Sequence, residues 1–374
     1  MSRPRLVIVI TLAETGGAQQ YVAQLLPAVG EHFDLVVAAH GSGPLRDATN
    51  EAGVRFVPLR HVRRSVNPLR DVVGLLELIR LFRRESPHIV HANSSKAGIL
   101  ARLAAVAAGV PIRIFTVHGW AFKAHTGLAS RVYLWADRLV RPLTTATICV
   151  SESERSAGLA ARTCRARRAV VIPNVVDVDA APLARQGGAR SRVISVGRLK
   201  APKDFITLTR ALAHVSPSSF EAQFVGEGPD RAAVESEAGA LGLDGRLRLL
   251  GDRADVPALL ACSDVFVLSS TSEGMPVSVA EAMAAALPVV ATAVGGVGEL
   301  VVDGETGFLV PPGDASALAA AITRLLADPV LRRRMGSSGR SRAEAIFDLG
   351  RFRAAHLDLY RAELARIGLR LPSP

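Results

Sequence analysis

Two carboxylates with seven residues between them, Glu273 and Glu281, occupy the stretch TSEGMPVSVAEAMA, residues 271–284. The apolar part of this stretch reads as a helix, and Pro276 suits its first position, where the missing N–H costs nothing. Buried charge is expensive unless it finds partners. The N–H groups of a helix start, here around Gly274, Met275, Val277 and Ser278, suit phosphate oxygens. A carboxylate beside phosphate would repel it, so the two glutamates are expected to face other parts of the ligand. Vicinal sugar hydroxyls are the natural partners, since a carboxylate accepts from both through charge-assisted bonds. A phosphate group with sugar on both sides is the layout of a nucleoside diphosphate sugar. The plainer alternative makes one glutamate a helix cap and leaves the other in solvent.

Other stretches carry compatible chemistry. VISVGRLKAPKDF (193–205) reads as a strand ending at Val196, followed by Arg198, Lys200 and Lys203. Cations at that place can neutralise a diphosphate leaving group. Gly16-Gly17, after the first strand and before a helix, resembles a phosphate-approaching loop, although neither GxGxxG nor GxxxxGK[ST] occurs. His118, just past the strand in IFTVHGWAF, suits a sugar hydroxyl or the charge at a reacting carbon. HANSSKAG (91–98) ends a strand in polar residues and brings Lys96, plausible for an anionic acceptor. There is no metal triad, and GxSxG and HExxH are absent.

These groups need elements to position them. Near-continuous apolar strands (RLVIVIT, DLVVAA, RFVPL, HIVHAN, IRIFTVH, ATICVS) alternate with helix-length segments. After AAPLARQGGARSR, which reads as a linker, the pattern restarts with VISVGRL, EAQFVGEG, LRLLGD, VFVLSS and PVVATAV. The expected architecture is α/β, with two Rossmann-like, doubly wound parallel-sheet domains facing a central cleft. A chain of 374 residues exceeds what one core usually serves. The expected domains are 1–180 and 190–345, with a helical segment over 346–374 that can dock wherever an apolar stripe is available, the first domain included. The apolar run near the amino terminus reads as a buried strand, not a signal peptide, and no span is long enough for a membrane helix. Cys149, Cys164 and Cys262 have no metal-like spacing and are expected to be small buried hydrophobes in a reducing compartment.

Taken together and in this order, the stretches resemble the retaining GT-B glycosyltransferases of glycosyltransferase family 4. The E-x7-E signature from Glu273 to Glu281 is the most specific element, joined by VGRLKAPKD, FVGEGPDR, ADVPALLACSDVFVLSS, GGVGELVVDGETGFLV and GGAQQYV. The resemblance implies that Glu281 binds the nucleotide ribose and that Glu273 lies near the donor sugar. Arg198 and Lys203 would hold the diphosphate, assisted by the backbone N–H groups of Gly274, Met275 and Val277, with Pro276 shaping the turn between them. Gly16 and Gly17 would approach the donor phosphate, and His118 the anomeric carbon. It also implies no cofactor and no metal, a C-terminal helix over 346–374 that crosses back to the first domain, and a front-face mechanism in which the departing phosphate helps deprotonate the acceptor. One departure is Asp204, where many members carry glycine.

The charge is one-sided: residues 1–180 hold 23 basic against 13 acidic residues, the remainder 22 against 21. Residues 60–85 contain Arg60, Arg63, Arg64, Arg70, Arg80, Arg83 and Arg84 against Asp71, Glu77 and Glu85. Each basic residue near an anionic bilayer contributes roughly 1 kcal/mol. A peripheral position on the inner face of the cell membrane is expected, in the cytoplasm, with a glycan or polyprenyl-diphosphate-linked acceptor. Lys96 and Trp120 are candidates for the acceptor or lipid side. Arg253 is the candidate for the donor base, with UDP-sugars favoured over GDP-mannose. A GT-B epimerase or a phosphorylase-like enzyme is the alternative. A nucleic-acid-binding protein rests on charge alone, with 5% aromatic residues for base stacking.

Overall fold

The computed structural model describes residues 3–65, 67–185, 191–216 and 219–371. Strands and helices alternate throughout, and the chain divides into two compact units, 1–174 with 349–374, and 175–348.

The first unit runs β1 (Arg5–Leu12), α1 (Gly17–His32), β2 (Asp34–His40), α2 (Pro44–Glu51), β3 (Arg55–Leu59), α3 (Pro68–Glu85), β4 (Ile89–Asn93), α4 (Ser95–Ala107), β5 (Ile112–Val117), α5 (Ala121–Ala124), α6 (Gly127–Val140), β6 (Ala146–Cys149), α7 (Glu152–Ala160) and β7 (Ala169–Val171). Its seven strands pair in parallel in the order β3-β2-β1-β4-β5-β6-β7. Strands with apolar side chains on both faces demand a cover on both faces, which the crossover helices provide. Leu6 to Ile10 are fully buried, and Val7, Val9, Val36, Val90, Ala92 and Phe115 share one core with Leu78, Phe82 and Ala101 from α3 and α4.

The second unit runs β8 (Ser191–Val196), α8 (Phe205–Ala213), β9 (Phe220–Val225), α9 (Arg231–Ala240), β10 (Leu247–Gly251), α10 (Val256–Ala261), β11 (Val265–Leu268), α11 (Val277–Ala284), β12 (Val289–Thr292), α12 (Val297–Leu300), β13 (Gly307–Val310), α13 (Ala315–Ala327) and α14 (Pro329–Ile346). Its six strands pair in the order β10-β9-β8-β11-β12-β13. The edge strand β13 lies within GGVGELVVDGETGFLV and was not among the expected strands. Only four residues long and half buried at Phe308 and Leu309, it lacks the continuous apolar run that marks the inner strands.

The last helix, α15 (Leu349–Ala365), belongs to the first unit by its contacts. Phe352 and Tyr360 meet Tyr21 of α1 and Phe33, the C-cap of that helix, edge to face, at ring separations of 5.0 and 5.6 Å. Three bonds help to fix the docking: Arg353 Nε donates to the Gln24 carbonyl at 3.1 Å, Tyr360 Oη lies 2.7 Å from His91 Nδ1 in β4, and His356 Nε2 is bonded to Tyr21 Oη.

Several boundaries differ from the sequence reading. The division falls at Asn174, not beyond residue 180, because the start of the expected linker packs on the second unit. Ala184 N–H donates to the Ala285 carbonyl and Arg185 N–H to that of Ala261, both at 2.8 Å, and Arg340 Nη1 donates to the Val178 carbonyl. Residues 186–190 of the expected linker lie outside the described residues. Strand β11 ends at Leu268 rather than Ser270, and Cys262 is exposed, unlike Cys149 and Cys164. No described helix is long and apolar enough to cross a membrane.

Candidate functional site

In each sheet the strand order reverses between two neighbours, β1 and β4 in the first unit and β8 and β11 in the second. Ligands in open α/β sheets bind at the carboxyl ends of the strands flanking such a switch point. The predicted chemistry of the second unit falls there. The loop after β8 carries Arg198, Lys200 and Lys203; the loop after β11 carries Glu273 and leads into α11.

The two loops are tied by an ion pair: Lys203 Nζ lies 2.7 Å from Glu273 Oε1, which also accepts from Ser270 Oγ at 2.6 Å. Both side chains are mostly withdrawn from solvent yet remain partly open. Backbone contacts reinforce the arrangement. Thr271 N–H donates to the Pro202 carbonyl at 2.8 Å, and Ser269 Oγ donates to the Lys203 and Asp204 carbonyls. From the next strand, Gly296 N–H donates to the Gly274 carbonyl at 2.9 Å. Gly295 sits at φ +53°, and a Cβ there would run into the backbone carbonyl of Glu273. The glycine pair after β12 therefore sets where Glu273 stands, a role the sequence reading missed. Its signal was available in the two adjacent glycines after an apolar strand.

Helix α11 begins at Val277, with Pro276 as its extended N-cap rather than its first residue, a correction of one position. The cap takes ψ 115°, outside the helical range, and proline has no N–H whose hydrogen bond could be lost there. Val279, Ala280, Ala282 and Met283 are buried, whereas Val277, Ser278 and Glu281 share a partly open face one turn long. Met275 and Gly274 are buried beneath the turn. Ser278 Oγ is a buried hydroxyl with no hydrogen-bond partner among the described residues. Asp204, where the resembled family often has glycine, sits at φ +45°, ψ 53°, and its side chain caps α8 by accepting from Thr207 N–H at 3.2 Å. Aspartate tolerates left-handed backbone better than most residues and is a preferred cap, so the exchange costs this loop little.

Arg253, the candidate for the donor base, stands apart from the Lys203–Glu273 pair in the strand order. It follows β10 at the sheet edge, two strands from β8, and its guanidinium grips Asp255 with two 2.7 Å bonds.

In the first unit, Gly16 caps α1 and Gly17 opens it, so its first-turn N–H groups stand at the end of β1. One turn on, Tyr21 packs edge-on against His118 at 4.9 Å. His118 follows β5 directly, and its Nε2 lies 3.0 Å from Asn93 Oδ1 at the end of β4. Burial, with a smaller effect of His356, pushes the imidazole pKa down to about 3, so the ring is neutral. A neutral ring serves as a hydrogen-bond partner, not as a general acid at neutral pH.

Two candidates are corrected. Trp120 is buried, with Nε1 donating to the Glu154 carbonyl at 2.8 Å and its own N–H to Glu154 Oε2 at 2.9 Å, so it faces neither acceptor nor lipid. The absence of a side chain at Gly158 makes the room it fills. Lys96 is paired with Asp71 and bonded to the Ser65 carbonyl, which spends its charge within the unit.

Comparison with known proteins agrees with this geometry. A family model described as "Glycosyl transferase 4-like domain" matches residues 16–175, and one described as "Glycosyl transferases group 1" matches residues 190–328. The chain is 32% identical over 327 residues to the UDP-Gal:alpha-D-GlcNAc-diphosphoundecaprenol alpha-1,3-galactosyltransferase of Escherichia coli, covering 82% of this chain and 83% of that one. It is 29% identical to the lipopolysaccharide core biosynthesis glycosyltransferase LpsE of Rhizobium meliloti, over 92% and 95% of the two chains. Among solved structures, Anabaena HepE in complex with UDP and glucose superposes with a TM-score of 0.85 at 21% identity, over 96% of this chain and all of that one. The fold is therefore GT-B.

Proposed function

We propose that this chain, which belongs to the group 1 glycosyl transferases, moves a sugar from a UDP-sugar to a hydroxyl of a lipid-linked or cell-surface glycan. That it is a glycosyltransferase follows from its family; the donor, acceptor and stereochemistry are the proposal. The observation that carries the donor half is the Lys203–Glu273 pair beside the start of α11. A diphosphate at that helix start meets N–H groups and a positive dipole end, with Arg198 and Lys203 supplying full charges. Glu273 then accepts from hydroxyls of the transferred sugar, and Glu281, one turn further, from the ribose.

The reaction that fits these groups is retaining and independent of metal. The bond from the anomeric carbon to the β-phosphate oxygen breaks, and the charge on the departing UDP is met by Lys203, Arg198 and the helix start. The acceptor oxygen bonds to the same face of that carbon, and its proton passes to the departing phosphate oxygen. UDP is preferred to GDP because the Escherichia coli relative is named for UDP-Gal and HepE was solved with UDP. The lipid-linked acceptor rests on the undecaprenol compound in the same relative's name.

Peripheral docking on an anionic membrane belongs to this reading, and the first unit offers a surface for it. Leu128, Val132, Trp135 and Leu139 form an exposed stripe on α6, and Leu69, Val72, Val73 and Leu76 form another on α3. Helices α3 and α6 both pack against α4. Arg60, Arg63, Arg64, Arg70 and Arg80 are exposed around them, as is Arg131 of α6. Apolar side chains ringed by arginines match a bilayer of anionic lipid.

The test is thermal stability with UDP, GDP and ADP, for the natural protein and Glu281→Ala. A ligand at a hundred times its dissociation constant adds about 2.7 kcal/mol to a fold it alone binds. Stabilisation by UDP, lost in the variant, is expected. Stabilisation by GDP instead would move the donor to GDP-mannose, and none at all would remove the donor site from this place.

A further inference from the structure

At the switch point of the first unit, two buried polar atoms have no partner among the described residues: His118 Nδ1 and Asn93 Nδ2. They belong to side chains that are bonded to each other, His118 Nε2 to Asn93 Oδ1 at 3.0 Å. Asn93 is fully buried. A buried donor or acceptor left unmet has given up its water with nothing in return, so an unmet pair at a strand end requires a reason.

The surroundings show that the position is built. Ser94, the next residue, holds φ +67° and ψ 153°, an unfavourable conformation for a side chain with a Cβ. Its hydroxyl is fixed on β1 by Thr11, at 2.6 Å from Oγ1 and 3.3 Å from N–H. That anchors the end of β4 to the end of β1 and aims the Asn93 amide at the ring following β5. Behind it, His91 on the same face of β4 is held by Tyr360 Oη and Thr116 Oγ1, at 2.7 and 2.6 Å.

We infer that Asn93 is a positioning residue for His118, holding the ring and adding its own amide at the carboxyl ends of β4 and β5, where the family resemblance already puts the sugar. Asn93 Oδ1 accepts the ring Nε2–H, which leaves Nδ1 as a bare acceptor, while the amide keeps an unused N–H. If the amide turns over, donor and acceptor exchange but the demand is unchanged: one of each. A hydroxyl group offers both, and phosphate or an apolar chain does not. The sugar assignment rests on the glycosyltransferase reading; the link between Asn93 and the ring does not.

Asn93→Asp separates the two. The groups facing His118 are Tyr21 of α1, His356 of α15 and His91 of β4, the histidines neutral and the phenol protonated. A carboxylate placed against the ring favours the imidazolium, which has no acceptor left. By ¹⁵N NMR of labelled histidine, the natural protein is expected to show His118 as the Nε2–H tautomer at pH 6 and pH 8, and the variant to show a doubly protonated ring at pH 6. With UDP-galactose as donor, the variant is expected to lose at least tenfold in rate between pH 8 and pH 6, with no such limb in the natural enzyme. Asn93→Ala, checked for its fold by circular dichroism, is expected to raise the sugar substrate's KM about tenfold. An unchanged pH profile in a variant whose ring has become charged would overturn the inference, as would an Asn93→Ala enzyme with natural KM and kcat. A natural protein that shows the expected tautomer but transfers nothing from any nucleotide sugar would overturn the transfer reading and the sugar assignment with it, and leave the positioning role standing.

Discussion

The ammonium of Lys203 and the carboxylate of Glu273 lie 2.7 Å apart across the switch point of the second sheet, although seventy positions separate them in the chain. A pair this withdrawn from water can serve the fold, the ligand, or both. Substitution distinguishes them. If the pair only braces the loops, removing both charges should restore what removing one destroys. If Lys203 meets a developing phosphate charge, the loss persists. Lys203→Met is expected to lower kcat by about 10²–10³-fold, the effect of deleting one preorganised charge partner. The double variant Lys203→Met/Glu273→Gln should be no more active. Steady-state kinetics with a UDP-sugar checks this, and recovery in the double variant would make the pair structural.

Gly295 tests the same carboxylate from its back. Alanine there pays for a left-handed backbone and pushes against the Glu273 carbonyl. Gly304, at φ +75° with open space around its Cβ position, pays only the first cost. Gly304→Ala should destabilise the protein by about 1–3 kcal/mol and Gly295→Ala by more, read from thermal melts. Only Gly295→Ala should raise the donor KM, by tenfold or more, because only there does Glu273 have to move. Equal donor KM values in the two variants would sever Gly295 from the site.

Much of this was legible in the chain. Apolar strands and intervening helices announced two parallel sheets, and Glu273, Lys203 and His118 were read from their places at strand ends. What was not legible depended on partners far away in sequence. Nothing near Lys203 says that its ammonium will rest on Glu273, and nothing near Trp120 says that Gly158 opens a socket for it. Lys96 looked available because Asp71, its partner, lies on another helix. Asn93 was noticed only as part of a polar strand end, since an unmet amide exists only once the ring of His118 is placed against it.

The exposed stripes on α3 and α6 give the membrane reading its own measurement. Trp135 is 67% exposed and carries the guanidinium of Arg138 at 5.5 Å from its ring centre, an arrangement suited to a headgroup layer. Sedimentation with vesicles containing anionic lipid at low salt is expected to bring the protein down, and neutral vesicles are not. Trp135→Ser with Leu139→Ser should weaken binding at every salt concentration, whereas Arg63→Glu with Arg64→Glu should remove mainly its salt-sensitive part. Equal recovery with neutral and anionic vesicles, or none, would end the proposal of an anionic surface.

The docking of α15 should be sensitive to acid. His356 donates from Nδ1 to the Phe352 carbonyl at 2.7 Å, its Nε2 is bonded to Tyr21 Oη, and burial lowers its pKa to about 4. His91, bonded to Tyr360 of the same helix, is held well below its ordinary value by burial and then by His356 and His118. In the unfolded chain each histidine takes up its proton near pH 6.5. The folded form refuses it until lower pH, so the unfolded state binds more protons in between. Stability is therefore complete above about pH 6.5 and falls below it, by up to roughly 1.4 kcal/mol per pH unit for each such histidine. Hydrogen exchange between pH 7 and pH 5 should show α15 losing protection ahead of the second unit, after correction for the intrinsic rate. His356→Gln removes one of the withheld protons, so its melting temperature should depend less steeply on pH than that of the natural protein. An unchanged slope would mean that His356 takes up its proton in the fold as readily as in the unfolded chain, and that it does not set the acid sensitivity of the helix.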